Sequence, residues 1–375
     1  MISIRNSSSP FSMVEFCIFF SKLGIDPQLL SLFFFCKGNK MRSATVLCCP
    51  FEGGIRAMMV LRRGIAGAAE GARTVFQLFE QSRPPLPPDR LEKQILPLEK
   101  YNLPLSKETF GSEKLLQQQL AATRRAHRIM EEKAIDIAQQ QRLMVGIGGD
   151  HSITYPLAKG VAKGWGNAPF GLIYLDAHFD LRPIETYGPK NIQVISSGNS
   201  FRRLLEEPSS PFCGARLAAI GISPSPSPIF TQMYKYARQK GMTIYLHSDV
   251  QDSSSLAETV LSQIEPSSRY IYLSVDIDCL DESFAPGVSS PANPGLHPQQ
   301  LLALVKHFAR HPKVVAMDVV ETSARTLAWF EWQNEGRSLE PEQVRQKALL
   351  QTAKASLEVL ETFLREKIGE EILGP

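Results

Sequence analysis

Gly171-Leu-Ile-Tyr-Leu-Asp176-Ala-His178-Phe-Asp180 is the stretch of sequence that decides the fold. It is an apolar run typical of a buried β-strand, and it ends in three metal-capable side chains at alternate positions. Extended backbone sends alternate side chains in one direction, and a turn after Asp176 would let the three converge. The carboxyl end of a buried strand is where an α/β sheet usually places its chemistry. Taken alone, the stretch also fits an aspartate-rich loop between a strand and a helix.

Strand and helix patterns alternate on both sides of this stretch. Apolar runs predict strands at residues 44–49, 143–147, 172–175, 215–222, 242–246, 270–275 and 314–320, with a further strand around Ile95. Helical spacing predicts helices at residues 68–81, 114–140, 154–164, 229–240, 255–264, 298–309 and 341–367. Residues 50–67 are predicted to form a glycine-rich loop. This alternation predicts an α/β fold with a mostly parallel sheet that helices cover on both faces.

Residues 1–40 differ from the rest of the 375-residue chain. Two apolar bursts, at 16–20 and 29–36, are each too short to span a bilayer. The segment is poor in acidic residues, so a transit peptide is an alternative to a dispensable extension. Met41 opens a segment that looks like the natural start of a domain. We therefore predict an extension at 1–40 and a single catalytic domain at 41–375.

Composition argues against several classes of partner and compartment. The formal net charge of +3 is too near neutral to indicate nucleic acid or an anionic membrane as a partner. The six cysteines show no CxxC pairing and no regular spacing, which predicts neither a disulfide framework nor a zinc–cysteine site. Reduced, mostly buried thiols favour an intracellular protein, and we predict a cytoplasmic one.

Two more strand ends carry possible metal ligands. Gly148-Gly-Asp-His-Ser152 follows one predicted strand, and its paired glycines allow a tight turn that aims His151 back over the sheet edge. Ser274-Val-Asp276-Ile-Asp278-Cys-Leu-Asp281 is another apolar strand that runs into alternating carboxylates. Carboxylates gathered at the ends of apolar strands repel one another strongly at low dielectric unless cations neutralise them. The three motifs together predict a metal site.

The chemistry of the ligands indicates the metal. Two histidines and four aspartates without a thiolate form a hard, oxygen-rich set, which suits Mn²⁺ better than Zn²⁺, with Co²⁺, Ni²⁺ and Fe²⁺ as alternatives. Six ligands are too many for one ion that also holds water, whereas two ions bridged by shared aspartates use them all. The predicted ligands are His151, Asp176, His178, Asp180, Asp276 and Asp278.

These three motifs, in this order, resemble the signatures of the ureohydrolase (arginase/agmatinase) family, and the resemblance extends from about Met41 to the C-terminus. It implies a three-layer α/β/α sandwich with a central parallel sheet of eight strands, and two Mn²⁺ per subunit. Trimers and hexamers are frequent in that family, so a homo-oligomer is expected. The implied ligand sets are His151, Asp176, Asp180 and Asp276 for one ion, and Asp176, His178, Asp276 and Asp278 for the other.

The resemblance also implies a chemistry and a substrate class. Water activated by the two ions would attack the planar carbon of a small amidino or guanidino acid, and Asp180 would pass a proton to the departing nitrogen. Glu321, at the end of Val314-Val-Ala-Met-Asp-Val-Val-Glu321, matches the family's glutamate that pairs with the cationic group of the substrate. A carboxylate at that position would orient the amidinium over the metals.

Asp180-Leu-Arg182-Pro and Gly221-Ile-Ser-Pro224 are similar to the formimidoylglutamase branch of the family. That branch implies hydrolysis of N-formimidoyl-L-glutamate to L-glutamate and formamide, in histidine degradation. Arg182 would then clamp a substrate carboxylate; the alternative is a salt bridge within the protein. The alternative functions are a guanidino-acid ureohydrolase of agmatinase or arginase type, which releases urea, and a metal-binding member of the family without catalysis.

Ser196-Ser-Gly-Asn-Ser-Phe201 resembles the corresponding run of the same branch and also the arginase loop that holds a substrate carboxylate. The second likeness makes Ser197 and Asn199 candidate substrate contacts. Phe201 stands where arginases carry a proton-shuttling histidine, which argues against arginase itself. The chain departs from the family after Glu321, where Asn-Pro and an aspartate are usual. Either that loop is shortened, or residues 329–351 are inserted before the last helix.

Overall fold

Eight parallel strands lie side by side at the centre of the computed structural model, which describes residues 41–368 except 42, 62–63, 84–85, 106–109, 190 and 325–341. With two short strands outside this sheet, the strands of the described residues are β1 (Ala44–Cys49), β2 (Leu91–Ile95), β3 (Leu143–Gly148), β4 (Phe170–Leu175), β5 (Thr186–Tyr187), β6 (Ile192–Gln193), β7 (Phe212–Ile222), β8 (Thr243–Leu246), β9 (Tyr270–Asp276) and β10 (Val314–Val320). Their order in the sheet is β2-β1-β3-β10-β9-β4-β7-β8, while β5 and β6 form a separate antiparallel pair.

Helices cover both faces of this sheet. They are α1 (Gly53–Val60), α2 (Ala68–Gln81), α3 (Glu113–Gln139), α4 (Thr154–Gly164), α5 (Ser200–Glu206), α6 (Pro228–Gln239), α7 (Ser253–Ile264), α8 (Pro298–Arg310) and α9 (Glu342–Ile368). One hydrophobic cluster joins α2, α7, α8 and α9 to one face, and a second joins α3, α4, α5 and α6 to the other. Successive residues of a strand enter opposite clusters, as Ile173 and Tyr174 of β4 do. The expected three-layer α/β/α sandwich is confirmed.

The strands and helices predicted from apolar patterns are all present, and β2 accounts for the strand expected around Ile95. The loop predicted over residues 50–67 is wrong in part, because α1 lies within it. Two glycines at its start weigh against a helix in propensity. Packing requires a small residue there, since a Cβ on Gly54 would lie 2.7 Å from the backbone nitrogen of Ser197. The short helix α5 was not predicted either.

Several predictions on chain organisation concern residues that the structure does not describe. The extension predicted at 1–40 lies outside the described residues, and so does most of the loop after Glu321, at 325–341. Residues 41–375 form one compact unit. Among the described helices, none combines the length and the apolar character that a membrane crossing needs.

Candidate metal centre and substrate pocket

The carboxyl ends of four neighbouring strands bring the sequence motifs together. In the sheet, β3, β10, β9 and β4 are adjacent. Because these strands are parallel, their carboxyl ends lie at the same edge of the sheet. The residues at or just beyond these ends are His151, Glu321, the Asp276–Asp278 segment and Asp176. The last strand of the chain therefore lies between the strands that carry the first and third motifs.

The first group of possible ligands surrounds the imidazole of His151. Its Nδ1 atom lies 3.0 Å from Asp180 Oδ2, 3.1 Å from Asp276 Oδ2 and 3.4 Å from Asp176 Oδ2. The four ligand atoms lie within 4.8 Å of one another. This group contains the same residues as the first ligand set implied by the family resemblance.

A second group lies beside the first and shares Asp176 with it. His178 Nδ1 lies 3.0 Å from Asp278 Oδ2 and 3.6 Å from Asp176 Oδ1. The group consists of Asp176, His178 and Asp278. Asp276, which the resemblance also placed in the second set, lies in the first group alone, and its Oδ1 accepts a hydrogen bond from the Asp278 amide at 2.9 Å. The two groups are thus linked through one carboxylate.

Several of these ligand atoms are buried and have no hydrogen-bond partner among the described residues. Asp176 and His151 have no exposed surface, and Asp278 is 3% exposed. Within the described residues, His151 Nδ1, Asp176 Oδ2 and Asp278 Oδ1 have no hydrogen-bond partner. Burial and the neighbouring charge of Asp278 raise the pKa of Asp176, so the cluster is electrostatically unfavourable by itself. Convergent, unpartnered oxygen and imidazole atoms of this kind fit two hard divalent cations.

The backbone at the site departs from a continuous strand. Strand β4 ends at Leu175, so Asp176, His178 and Asp180 converge from a turn. Asp180 has a φ angle of 47°, and Glu321 has one of 68°. Such left-handed conformations cost a residue other than glycine about 1–3 kcal/mol, and they persist at functional sites where the surrounding structure imposes them.

A buried carboxylate that sequence reasoning missed lies behind His151. Asp318 has no exposed surface, and it accepts hydrogen bonds from Ser274 Oγ at 2.6 Å, Thr154 Oγ1 at 2.7 Å and Tyr272 OH at 2.8 Å. Ser274 Oγ lies 3.1 Å from His151 Nε2. This chain of contacts orients the imidazole whose other nitrogen faces the carboxylates. The available signal was a single aspartate within an otherwise apolar strand.

Asp318→Asn is expected to lower the affinity for Mn²⁺ about 10- to 100-fold while the fold is kept, the usual size of effect for partners behind a ligating histidine. Asparagine replaces one acceptor oxygen with a donor, so the hydroxyl groups of Ser274, Thr154 and Tyr272 cannot all keep donating to this side chain. Isothermal titration with Mn²⁺ measures the change. Asp281→Asn, in the turn after β9, is the control. An affinity within threefold of the parent protein would exclude this role for Asp318.

A pocket of about 400 Å³ opens onto both ligand groups. Its size lies in the range of small-molecule sites. The charged residues that line it are His178, Asp180, Arg182, Asp276, Asp278 and Glu321. Hydroxyl groups come from Ser196, Ser197, Ser289 and Ser290, and the apolar part of the wall from Ile55, Met58, Ile65 and Met233. The ligand groups and the candidate substrate contacts therefore face one cavity.

Glu321 is held in this pocket by both of its carboxylate oxygens. Oε1 accepts a hydrogen bond from the His151 amide at 2.8 Å, and Oε2 accepts one from Ser289 Oγ at 2.7 Å. Burial, with the nearby charge of Asp150, raises the pKa of Glu321 to about 8. A cationic group in the pocket would favour the ionised form of this carboxyl.

Arg182 lines the pocket with a half-buried side chain. Its backbone amide donates to the Gly198 carbonyl at 2.8 Å, which ties the segment after Asp180 to the serine-rich loop. Across the described part of the chain, the guanidinium makes no ion pair and no side-chain hydrogen bond. Among the residues that the structure describes, no carboxylate pairs with Arg182 as the alternative interpretation of a salt bridge requires. Ser197 lines the same pocket.

Asn199 and Phe201 lie beneath the pocket. Asn199 is 1% exposed, and its side-chain amide contacts the Ser196 amide at 3.1 Å and the Val194 carbonyl at 3.0 Å. These bonds stabilise the loop and leave the amide outside the lining of the pocket. Phe201 is fully buried and packs edge-on against His151, with 5.0 Å between ring centroids.

Comparison with known proteins identifies the family. The family model for arginases matches residues 44–326, and the chain belongs to the arginase family. A formiminoglutamase structure from Trypanosoma cruzi with Mn²⁺ superposes with a TM-score of 0.61 at 20% identity, covering 91% of this chain and 98% of that one. At this level of identity the likeness concerns the fold. The family and the fold expected from the sequence are confirmed.

Two curated relatives are similar to about half of the chain. A formimidoylglutamase of Halalkalibacterium halodurans is 36% identical over 180 residues, which is 47% of this chain and 52% of that protein. An N(1)-aminopropylagmatine ureohydrolase of Thermus thermophilus is 31% identical over 198 residues, 53% of this chain and 61% of that protein. The chain thus matches only about half of the length of these relatives.

Proposed function

We propose that the protein is a binuclear manganese hydrolase that cleaves N-formimidoyl-L-glutamate to L-glutamate and formamide. The observation that carries the proposal is the Arg182 guanidinium, which forms no ion pair with any described residue and lies in the same pocket as Glu321 and both ligand groups. The substrate carries an amidine and two carboxylates. Glu321 suits the first, and the planar fork of Arg182 suits a carboxylate.

Each of these residues has a separate role in the proposed reaction. The residues of the two ligand groups would hold two Mn²⁺ ions, which when bound would lower the pKa of water and so supply the nucleophile. Glu321 orients the amidinium, so that the carbon lies in place for attack. Asp180, which lines the pocket, takes up the proton and passes it to the departing nitrogen. The bond between that nitrogen and the formimidoyl carbon breaks, and the nitrogen leaves as the amino group of glutamate.

A guanidino-acid ureohydrolase is the second candidate function. The relative from Thermus thermophilus supports the release of urea, because that protein is a ureohydrolase. The same two ligand groups and the same glutamate would serve a guanidinium, and the product would then be urea. For both candidate functions, Arg182 favours a substrate that carries a carboxylate.

Product analysis separates the two candidates. The Mn²⁺-loaded protein is assayed against N-formimidoyl-L-glutamate and a panel of guanidino acids, with formamide and urea measured separately. Formamide from the first substrate, with Asp278→Ala inactive, is the expected result. Urea as the main product would replace the first function by the second. No turnover of any substrate by protein that binds two Mn²⁺ would favour a family member without catalysis.

Arg182→Met is expected to lower kcat/KM for N-formimidoyl-L-glutamate about 100-fold, chiefly through KM, which corresponds to ~2.7 kcal/mol of lost binding. The reason is the loss of a charge-assisted, bidentate contact to a substrate carboxylate. Steady-state kinetics measures the effect. Arg238→Met, at an exposed arginine of α6 outside the pocket, is the matched control. An equal loss with an amidine that has no carboxylate would contradict the clamp.

A further inference from the structure

A second pocket, of about 420 Å³, lies on the helical layer formed by α3, α4 and α5. It shares no lining residue with the catalytic pocket. Three of its lining residues are arginines: Arg124 and Arg128 lie one turn apart on α3, and Arg203 lies on α5. Like charges four residues apart on a helix repel each other. The helices therefore gather positive charge around a cavity.

The three arginines form no ion pair in the described part of the chain, although the charge of Glu207 also acts on Arg203. The lysines of the pocket differ, because Glu131 pairs with both Lys159 and Lys163, and Glu207 pairs with Lys159. The acidic groups nearby are thus engaged by lysines, apart from the exposed Glu132. The guanidinium groups keep their positive charge for another ligand.

Arg203 is held in position within the pocket. Its guanidinium carbon lies 4.0 Å from the ring centroid of Tyr155, a stacking arrangement typical of cation–π contacts. Tyr155 is fixed in turn by a hydrogen bond of 2.7 Å from its hydroxyl to Glu207 Oε2. A stacked guanidinium still presents its N–H groups at its edge, where a planar or tetrahedral anion can accept them.

The wall of the pocket also contains a buried histidine without partners. His127 is 5% exposed, and neither of its ring nitrogens has a hydrogen-bond partner within the described residues. Burial, together with the positive charges of Arg203 and Lys159, lowers the pKa of His127 well below its usual value. Buried polar groups are ordinarily satisfied, so this imidazole is an unsatisfied polar group beside the three guanidinium groups.

We propose that this second pocket binds a small oxyanion of the phosphate type, held by Arg124, Arg128 and Arg203 with His127 at its wall. Three guanidinium groups offer more donors than the two oxygens of a carboxylate can accept, whereas a phosphate has at least three free oxygens. The cavity is large enough for a phosphate on a small organic group. The site is separate from the catalytic pocket and does not depend on the proposed reaction.

Isothermal titration with inorganic phosphate tests this site in the full-length, Mn²⁺-loaded protein at low ionic strength. Saturable binding of one phosphate per subunit is expected. Arg203→Gln should weaken the phosphate affinity at least tenfold. Arg124→Gln should have the same effect, and because Arg124 is exposed this substitution should not impair folding. The matched control is Arg238→Gln on α6, which should change the affinity less than twofold. Because phosphate also binds metal ions, the titration is repeated with Asp278→Ala, in which the affinity should be kept.

Four outcomes of the titrations would overturn the proposal. They are the absence of saturable phosphate binding, equal weakening in all three arginine variants, loss of binding in Asp278→Ala, and L-glutamate binding as tightly as phosphate. The last would assign the pocket to carboxylates. Size-exclusion chromatography with light scattering accompanies each variant. If Arg203→Gln dissociated an oligomer while phosphate affinity stayed unchanged, the arginines would belong to a subunit contact and the ligand assignment would be wrong.

Discussion

Asp176→Asn is expected to abolish stable binding of both Mn²⁺ ions and to lower kcat at least about 1000-fold, equivalent to ~4 kcal/mol of transition-state stabilisation. Asp176 is the one carboxylate that belongs to both ligand groups. Its two oxygens face different partners, with Oδ2 near His151 and Oδ1 near His178. Metal analysis after dialysis, together with titration of Mn²⁺, measures the loss.

The same substitution should change thermal stability in opposite directions with and without metal. In EDTA, Asp176→Asn should melt at a higher temperature than the parent, because burial and the charge of Asp278 raise the pKa of Asp176 and make its ionised form unfavourable. With Mn²⁺ the parent alone should gain stability, about 2.7 kcal/mol at a metal concentration 100 times Kd. Scanning fluorimetry under the two conditions tests both signs.

Asp281→Asn is the control for this pair of measurements. It makes the same chemical change a few residues beyond Asp278, at a carboxylate that accepts hydrogen bonds from Ser283 and belongs to neither ligand group. It should keep both ions and the parent activity. Two ions in Asp176→Asn with affinities within threefold of the parent would contradict a shared carboxylate.

Glu321→Gln is expected to lower kcat/KM about 100- to 1000-fold, which corresponds to ~3–4 kcal/mol. The substrate amidinium would lose its anionic partner, a carboxylate that is itself 3% exposed. The glutamine amide also offers N–H groups where the carboxylate accepts from the His151 amide and from Ser289. Steady-state kinetics measures the loss, and circular dichroism and Mn²⁺ titration are expected to show an intact fold with both ions bound.

Glu282→Gln is the matched control for Glu321→Gln, because Glu282 is exposed and its carboxylate contacts only Asn293 among the described hydrogen bonds. Its kinetics should equal those of the parent. A decrease of less than fivefold in Glu321→Gln would remove the glutamate from substrate orientation. Loss of Mn²⁺ along with activity would instead indicate that Glu321 acts by supporting His151.

Most of the fold was predictable from the sequence. The periodicities that distinguish α4 and β10 depend on residues within a few positions of one another, so they are present in the sequence itself. Helix α1 was missed because Gly53 and Gly54 have a low helix propensity. A glycine is needed at position 54 because a loop that is distant in sequence approaches it closely. Local pattern cannot report a contact between residues that are far apart in the chain.

The candidate site was likewise predictable from the sequence only in part. Asp176, His178, Asp276 and Asp278 were identified from sequence because hard ligands at the ends of apolar strands are a local feature with a chemical meaning of its own. Asp318 was missed because its role comes from hydroxyl groups on β9 and α4. Sequence could not place the amide of Asn199, since a polar side chain in a loop can face either solvent or its own backbone.

By itself, then, the sequence determined the layered α/β architecture, the family and the six candidate ligands. Only the tertiary structure decided that β10 lies between β3 and β9, which carries Glu321 to the ligand groups. It also decided that Asp176 belongs to both of those groups, and that Arg182 lines the pocket without an ion pair to any described residue. The physical reason is that strand order, shared contacts and unpaired charges arise from packing between distant segments, whereas side-chain chemistry and periodicity are properties of the chain at each point.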